Sequence, residues 1–302
     1  SMGRRLLPPA VVRAARGVLV TLGAAVLLAG CATTTPTPPE LRTASDLTEA
    51  DRLARLRLEL AAGYFSRVQT ATALDEVKLA LAARPDLLEA HNLRGRIYAS
   101  LAQPQLAEES FRRTLAIEPG HVEAHNNLGN VLVDGNRPAE ALGCFEAAAR
   151  LRPESPEIHF NLGNCQKTLS NLSEAAAEYR RAIALRPDFS LAHHTLGTML
   201  FDGGKFLEAA TCHRDALRAD PQFVAAHLGL GMALEKLEGP VASEKSYRQA
   251  VKLEPGNAHA HYCLATALHR QRRMPEAQIE LERSLDIDPY YTDAVYSLAV
   301  CL

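Results

Sequence analysis

The stretch Val122–Ser155 reads VEAHNNLGNVLVDGNRPAEALGCFEAAARLRPES, and its plan returns along the chain at a fixed spacing. Its proline, Pro153, belongs to a series: Pro85, Pro119, Pro153, Pro187, Pro221, Pro255 and Pro289, each 34 residues from the last. Seven units follow without insertion, starting at 54, 88, 122, 156, 190, 224 and 258, with a partial eighth at 292. Repetition at this period decides the fold ahead of local propensity, because each repeat is one supersecondary unit. Position 8 reads Ala61, Gly95, Gly129, Gly163, Gly197, Gly231, Ala265 and Ala299. Position 20 reads Ala73, Ala107, Ala141, Ala175, Ala209, Ser243 and Ala277. Position 24 is bulky: Val77, Phe111, Phe145, Tyr179, His213, Tyr247 and Leu281.

Two helices of about 13 residues and a short turn account for most of each unit. Small residues at positions 8 and 20 let the two backbones approach, and position 24 fills the space beside them. The proline ends the second helix, since it cannot donate to a continuing ladder. This pattern resembles the tetratricopeptide repeat (TPR) over residues 54–302. The resemblance implies an all-α fold, a right-handed TPR superhelix (an α-solenoid) of seven helix pairs plus a partial eighth. One pair cannot bury its apolar face alone; stacked pairs can, and they leave a concave groove.

The chain has 302 residues, 47% of them hydrophobic, so a core is available, spread along the solenoid. A net charge of −2 gives no electrostatic footing for nucleic acid, and 5% aromatic residues with no tryptophan give no base-stacking platform. Residues 1–31 differ from the rest. Arg4, Arg5, Arg13 and Arg16 precede an uncharged run, Gly17–Gly30, of secretory-signal length and short for a membrane span. The run closes on Leu28-Ala29-Gly30-Cys31, which resembles a bacterial lipobox. That resemblance implies cleavage before Cys31, lipidation of its sulfur and attachment to a membrane. With Ala32 following the cysteine, the expected location is the outer membrane, facing the periplasm. Residues 32–50 open on the Thr/Pro-rich ATTTPTPPELRTASD and read as a tether, with the superhelix over 51–302. A helical pattern starts near Leu47, where Thr48 could cap it.

A finer resemblance lies in the first two units. Arg57-Leu58-Glu59-Leu60-Ala61-Ala62-Gly63-Tyr64-Phe65, Ala73-Leu74-Asp75-Glu76-Val77-Lys78, His91-Asn92-Leu93-Arg94-Gly95 and Leu106-Ala107-Glu108-Glu109-Ser110-Phe111 resemble the type IV pilus biogenesis/stability lipoproteins, or pilotins. It covers roughly residues 50–127, and from unit three on the pattern is generic TPR. The resemblance implies an outer-membrane TPR lipoprotein that assists the pilus secretin.

No motif for catalysis stands out: H-E-x-x-H, G-x-S-x-G and C-x-x-C are all missing. Gly203-Gly204-Lys205 resembles the end of a phosphate loop, but Met199 holds the place of its leading glycine, and a turn is expected there. Histidine recurs at position 4 as His91, His125, His159, His193, His227 and His261. A metal ladder would need its ligands about 2.0–2.1 Å from one centre, whereas equivalent positions in stacked repeats lie roughly 10 Å apart. These histidines are therefore read as packing residues, and no metal or other cofactor is expected. Besides Cys31 there are Cys144, Cys165, Cys212, Cys263 and Cys301, an odd number, so not all can pair. Cys144 and Cys165, on neighbouring helices, are the pair that could approach.

Helical periodicity puts positions 2, 5, 6, 9 and 13 of each first helix on one face, opposite 4, 8 and 11. That face is the expected partner-binding groove. In units two to four it carries Glu89, Asn92, Arg96, Glu123, Asn126, Asn127, Asn130, Glu157, Phe160, Asn161 and Asn164. Amides both donate and accept, so they can pair with the main chain of an extended segment. Asn127, Asn130, Asn161 and Asn164 resemble the asparagine ladder of TPR superhelices that hold extended polypeptides. The glutamates stand where the TPR clamp for a terminal carboxylate has Lys and Arg. Further on the groove presents His194, Thr198, Leu228, Met232, His259, Tyr262, Thr266 and His269. The expectation is a non-catalytic protein-binding lipoprotein with a peptide or protein segment in its groove, and the pilotin resemblance implies assistance to secretin assembly. The alternatives are a general cell-envelope scaffold or adaptor, or the TPR arm of a larger enzyme such as a peptide glycosyltransferase.

Overall fold

The computed structural model describes residues 48–301. The lipobox with Cys31, and most of the tether, lie outside the described residues. Among the described residues there are fifteen helices and no strand. The helices pair as α1 (Glu49–Ser66) with α2 (Thr70–Ala83), α3 (Leu88–Ser100) with α4 (Pro104–Ile117), and α5 (Val122–Asp134) with α6 (Pro138–Leu151). Next come α7 (Pro156–Thr168) with α8 (Leu172–Leu185), α9 (Ser190–Asp202) with α10 (Phe206–Ala219), and α11 (Val224–Leu237) with α12 (Pro240–Leu253). The last are α13 (Ala258–Arg270) with α14 (Met274–Ile287), and the single helix α15 (Thr292–Cys301). The chain is thus an all-α solenoid of seven helix pairs plus one helix. The first helix begins at Glu49, ahead of the boundary drawn at 51. Thr48 caps it in a reciprocal box with Asp51.

Each unit turns where a left-handed residue closes the first helix. Val68, Ala102, Asn136, Ser170, Gly204 and Arg272, all at position 15, have φ between 53° and 76°. The next amide reaches back five residues, as Gln103 N to the Tyr98 carbonyl at 2.9 Å and Arg137 N to that of Leu132 at 2.8 Å. This six-to-one bond satisfies a carbonyl that the helix end leaves open. Unit six departs from the rule: α11 runs to Leu237, Glu238 keeps φ −125°, and Gly239 takes φ 95°. A glycine beside the turn accepts the costly angle, so the turn slides by one residue. At the far end, position 31 is extended in units one, two, four, five and seven, because proline follows it.

Close approach rests on position 8. A Cβ on Gly95 would stand 2.6 Å from a ring carbon of Phe111, one on Gly129 2.7 Å from Phe145, and one on Gly231 2.4 Å from Tyr247. Phe111, Phe145, Tyr179 and Tyr247 are all buried. The ring at position 24 therefore lies flat where the first helix has no side chain, which explains why the two positions vary together. Each second helix packs on the first helix of the next unit. First helices also touch one another along most of the array, as α3–α5, α5–α7, α9–α11 and α11–α13, while second helices make no contact of that extent. The array therefore curves with the first helices on its inner, concave side.

Candidate functional site

Position 4 comes first, because it fixes each first helix against the preceding unit. The Nε2 of His91, His125, His159, His193, His227 and His261 lies 2.8–3.0 Å from the carbonyl of the proline six residues earlier. A carbonyl only accepts, so Nε2 carries the proton in every case. These histidines are helix-junction clamps. The Nδ1 atom faces position 23. His159 meets Glu178 at 2.5 Å and His261 meets Glu280 at 2.6 Å, while unit one places Arg57 on Glu76 at 3.0 Å instead. Where position 23 is Ser110 or Cys144, the Nδ1 atoms of His91 and His125 are buried without a partner. Among the described residues no three His, Cys, Asp or Glu side chains converge to hold a metal ion. Cys144, Cys165, Cys212 and Cys263 are free thiols, so the approach of Cys144 to Cys165 has not made a disulfide. Cys165 donates from Sγ to the Pro138 carbonyl at 3.2 Å.

The concave face of α3, α5 and α7 is the amide-rich region that periodicity assigns. Asn161 donates from Nδ2 to Asn126 Oδ1 at 2.9 Å, linking units three and four. Asn164 accepts from the Tyr179 hydroxyl at 2.8 Å. Two members of the expected ladder are thus already engaged within the protein. Asn127 and Asn130 carry no side-chain hydrogen bond among the described residues, and Asn130 is exposed. In unit two, Asn92 keeps a buried, unpartnered Oδ1, Glu89 is exposed, and Arg96 lies 5.5 Å from the Phe65 ring centre. Glu123 and Glu157 are not free acids. Arg152 holds Glu123 and Arg186 holds Glu157, each at 2.7 Å. Partial burial alone would raise both carboxyls; hydrogen bonds and the arginine charges outweigh it and hold both below the usual range. The signal was in the sequence, since Arg152 and Arg186 occupy position 31 of the same two units, where unit two has Glu118.

From unit four onward, aromatic rings at the junctions between units join the groove; periodicity marks Phe160, His194, His259 and Tyr262 but misses their partners at position 34. Phe160 packs on Phe189 at 5.1 Å and on Tyr179 at 5.7 Å. His194 packs on Phe223 at 5.0 Å and on His213 at 5.2 Å. Tyr262 meets Tyr291 edge-on at 5.2 Å, and His259 bonds the Tyr291 hydroxyl at 2.7 Å. Phe189, Phe223 and Tyr291 all hold position 34, outside the face that helical periodicity marks. Thr198 is turned back onto the His194 carbonyl at 3.1 Å. Leu228 is half-buried, and Met232 is exposed at the groove edge.

Beneath His194 lies His213, clasped between two glycines: a Cβ on Gly197 or Gly229 would stand 2.9 or 2.5 Å from its Cε1. Its Nδ1 and that of His194 are buried without a partner. Burial disfavours the charged ring and pushes His213 down to about 4, with His194 lowered for the same reason. Both rings are therefore neutral near pH 7.

The tetratricopeptide repeat family model matches residues 92–143, 126–188, 194–240 and 237–292, more than half of the chain, and the chain belongs to this family of repeat scaffolds. Among solved structures it is similar to PilF of Pseudomonas aeruginosa, with 21% identity, TM-score 0.62, and coverage of 70% of this chain and 96% of that one. It is also similar to PilW, a widely conserved type IV pilus biogenesis factor, with 24% identity, TM-score 0.64, and coverage of 72% and 99%. YrrB, a TPR protein with an unusual peptide-binding site, shows 19% identity, TM-score 0.53, and coverage of 63% and 98%. At these identities the likeness is one of fold. No curated protein matches the sequence. No described helix is long and apolar enough to cross a membrane.

Proposed function

We propose that the protein is a protein-interaction scaffold of the cell envelope that holds an extended segment of a partner along the concave face of units two to four. The observation that carries this is the pair Asn127 and Asn130: two amides on the inner face of α5 with no partner of their own, beside amides that are already engaged. An extended main chain offers the N–H and C=O groups that such amides would take up. Two of the three carboxylates on this face, Glu123 and Glu157, are paired with Arg152 and Arg186, so in units three and four the segment is selected by its backbone more than by its charge. The lipobox-like Leu28–Cys31 and the Thr/Pro-rich tether support attachment through a lipidated Cys31, with the groove facing the periplasm. Assistance to a pilus secretin is the most specific form of this reading. It draws on the resemblance of the first two units to pilotins and on the fold shared with PilW, a type IV pilus biogenesis factor.

The test is photocrosslinking at position 130 in native envelopes, followed by affinity measurement with the captured segment. Each neutral hydrogen bond contributes about 0.5–1.5 kcal/mol, so Asn127→Ala with Asn130→Ala should weaken binding by about 1–3 kcal/mol. The melt should move little, because neither amide is bonded within the protein and Asn130 is exposed, where substitutions stay within about 0.5 kcal/mol. Unchanged affinity in the double variant would overturn the reading. For the anchor, Cys31→Ala should release the protein from the membrane fraction; unchanged fractionation would remove that part alone.

A further inference from the structure

Unit seven breaks the pairing of positions 8 and 24. In units two to six a glycine faces a ring, and where the ring is tyrosine its hydroxyl reaches under the inner face. Tyr179 bonds Asn164 at position 9, and Tyr247 bonds Glu235 at position 12 at 3.0 Å. Unit seven has Ala265 and Leu281 at these places. The alanine Cβ occupies the space of the ring's near edge, and the leucine stops short of Thr266 and His269, the corresponding positions 9 and 12. A cavity of about 210 Å³ lies there, between α13, α14 and α15. Ala265 and Leu281 form its base, while Tyr296 and Val300 of α15 form the opposite wall.

We propose that this cavity is an anchor pocket for one phenyl-type side chain of the segment held in the groove. It has the position of a missing position-24 ring, and its size agrees: an apolar cavity of about 150 Å³ accommodates benzene. Thr266, His269, Tyr296 and Val300 stand at positions 9, 12, 5 and 9 of their first helices, so the mouth opens on the concave side. Tyr296 and Val300 leave 73% and 59% of their surface exposed, an apolar wall that a ring would cover. The cation at the mouth, Arg270, is already paired with Glu235, so a carboxylate side chain gains nothing by entering. The recess between three helices admits a side chain and excludes the face of a second folded copy.

The inference rests on the groove reading above, and the two can fail separately. The probe is N-acetylphenylalanine amide, titrated into the full chain and followed by NMR shifts of unit seven, with N-acetylglycine amide as control. Saturable shifts confined to α13, α14 and α15 are expected with the phenyl probe alone. Ala265→Gly with Leu281→Tyr restores the pairing of units four and six and fills the space, so probe affinity should fall at least tenfold. Tyr296→Ala removes an exposed wall without touching the interior and should weaken the probe several-fold even if the double variant folds poorly. No saturable shift, equal response to the glycine probe, or full binding by both variants overturns the pocket. Asn127→Ala with Asn130→Ala should leave the probe unaffected. A working pocket beside an unaffected captured segment in that variant sinks the groove reading alone.

Discussion

In units two to four the ring at position 24 is Phe111, Phe145 or Tyr179, each sealed beneath a glycine, and the inner face above it carries amides. In units five to seven the same position holds His213, Tyr247 and Leu281. The backbone plan is common to both halves, but the interior is not. A histidine brings a buried nitrogen with no partner, a tyrosine draws Glu235 and Arg270 into a chain of contacts, and a leucine leaves a cavity. One interior position thus sets whether the groove above it has a closed, titratable or open floor. The first half is a sealed polar carpet, suited to reading a main chain. The second half is suited to reading side chains.

The largest effect that could break this contrast is acid sensitivity centred on unit five. His213 is held at about 4 against an ordinary value of 6.5. The unfolded chain binds the proton more readily, so its contribution is complete above pH 6.5 and is lost as pH falls towards 4. The difference corresponds to about 3 kcal/mol. Urea midpoints should drop across that window, and His213→Phe, which copies units two and three, should flatten the slope. A slope unchanged by this substitution would put the titrating group elsewhere.

Next comes overpacking at position 8. Gly129→Leu and Gly231→Leu force side chains into rings that already stand closer than a Cβ allows, at a cost of typically about 1–3 kcal/mol. The Gly231 variant should suffer more, because the Tyr247 ring is nearer and its hydroxyl is tied to Glu235. Thermal melts equal to the parent would show that the ring and glycine do not form a tight pair. Gly143 is the opposite case: it lies on the exposed face of α6 with nothing within 4 Å of a Cβ. Gly143→Ala should raise stability by about 0.5–1 kcal/mol, measured in the same denaturation series.

The smallest effect concerns the acids of the polar half. Glu157→Gln removes an exposed pair with Arg186, and such pairs contribute about 0–1 kcal/mol and are screened by salt. Melts of variant and parent should converge as salt is raised. A gap that persists in high salt would mean that Glu157 supports the fold by something other than charge.

The 34-residue period, the Gly–ring alternation and the proline punctuation determined the repeat architecture, because a strict period leaves each unit one way to bury its face. Thr48 as a cap, the turn at Gly203–Lys205 and the inward face of the first helices could be read for the same reason: each depends on residues a few places apart. What the sequence left open depends on neighbours on different helices, in the same unit or the next. Asn161 is engaged by Asn126, and Asn164 by Tyr179, so only part of the asparagine series is available to a ligand. The position 4 histidines looked like packing residues, yet each also clamps a proline carbonyl of the unit before it. Phe189, Phe223 and Tyr291 lie between helices, where helical periodicity does not apply, and only the stacking brings them to the groove. The cavity of unit seven is the clearest case. Ala265 and Leu281 read as ordinary core residues in the sequence, and only against the rings of the stacked units does their small volume become space that a ligand could fill.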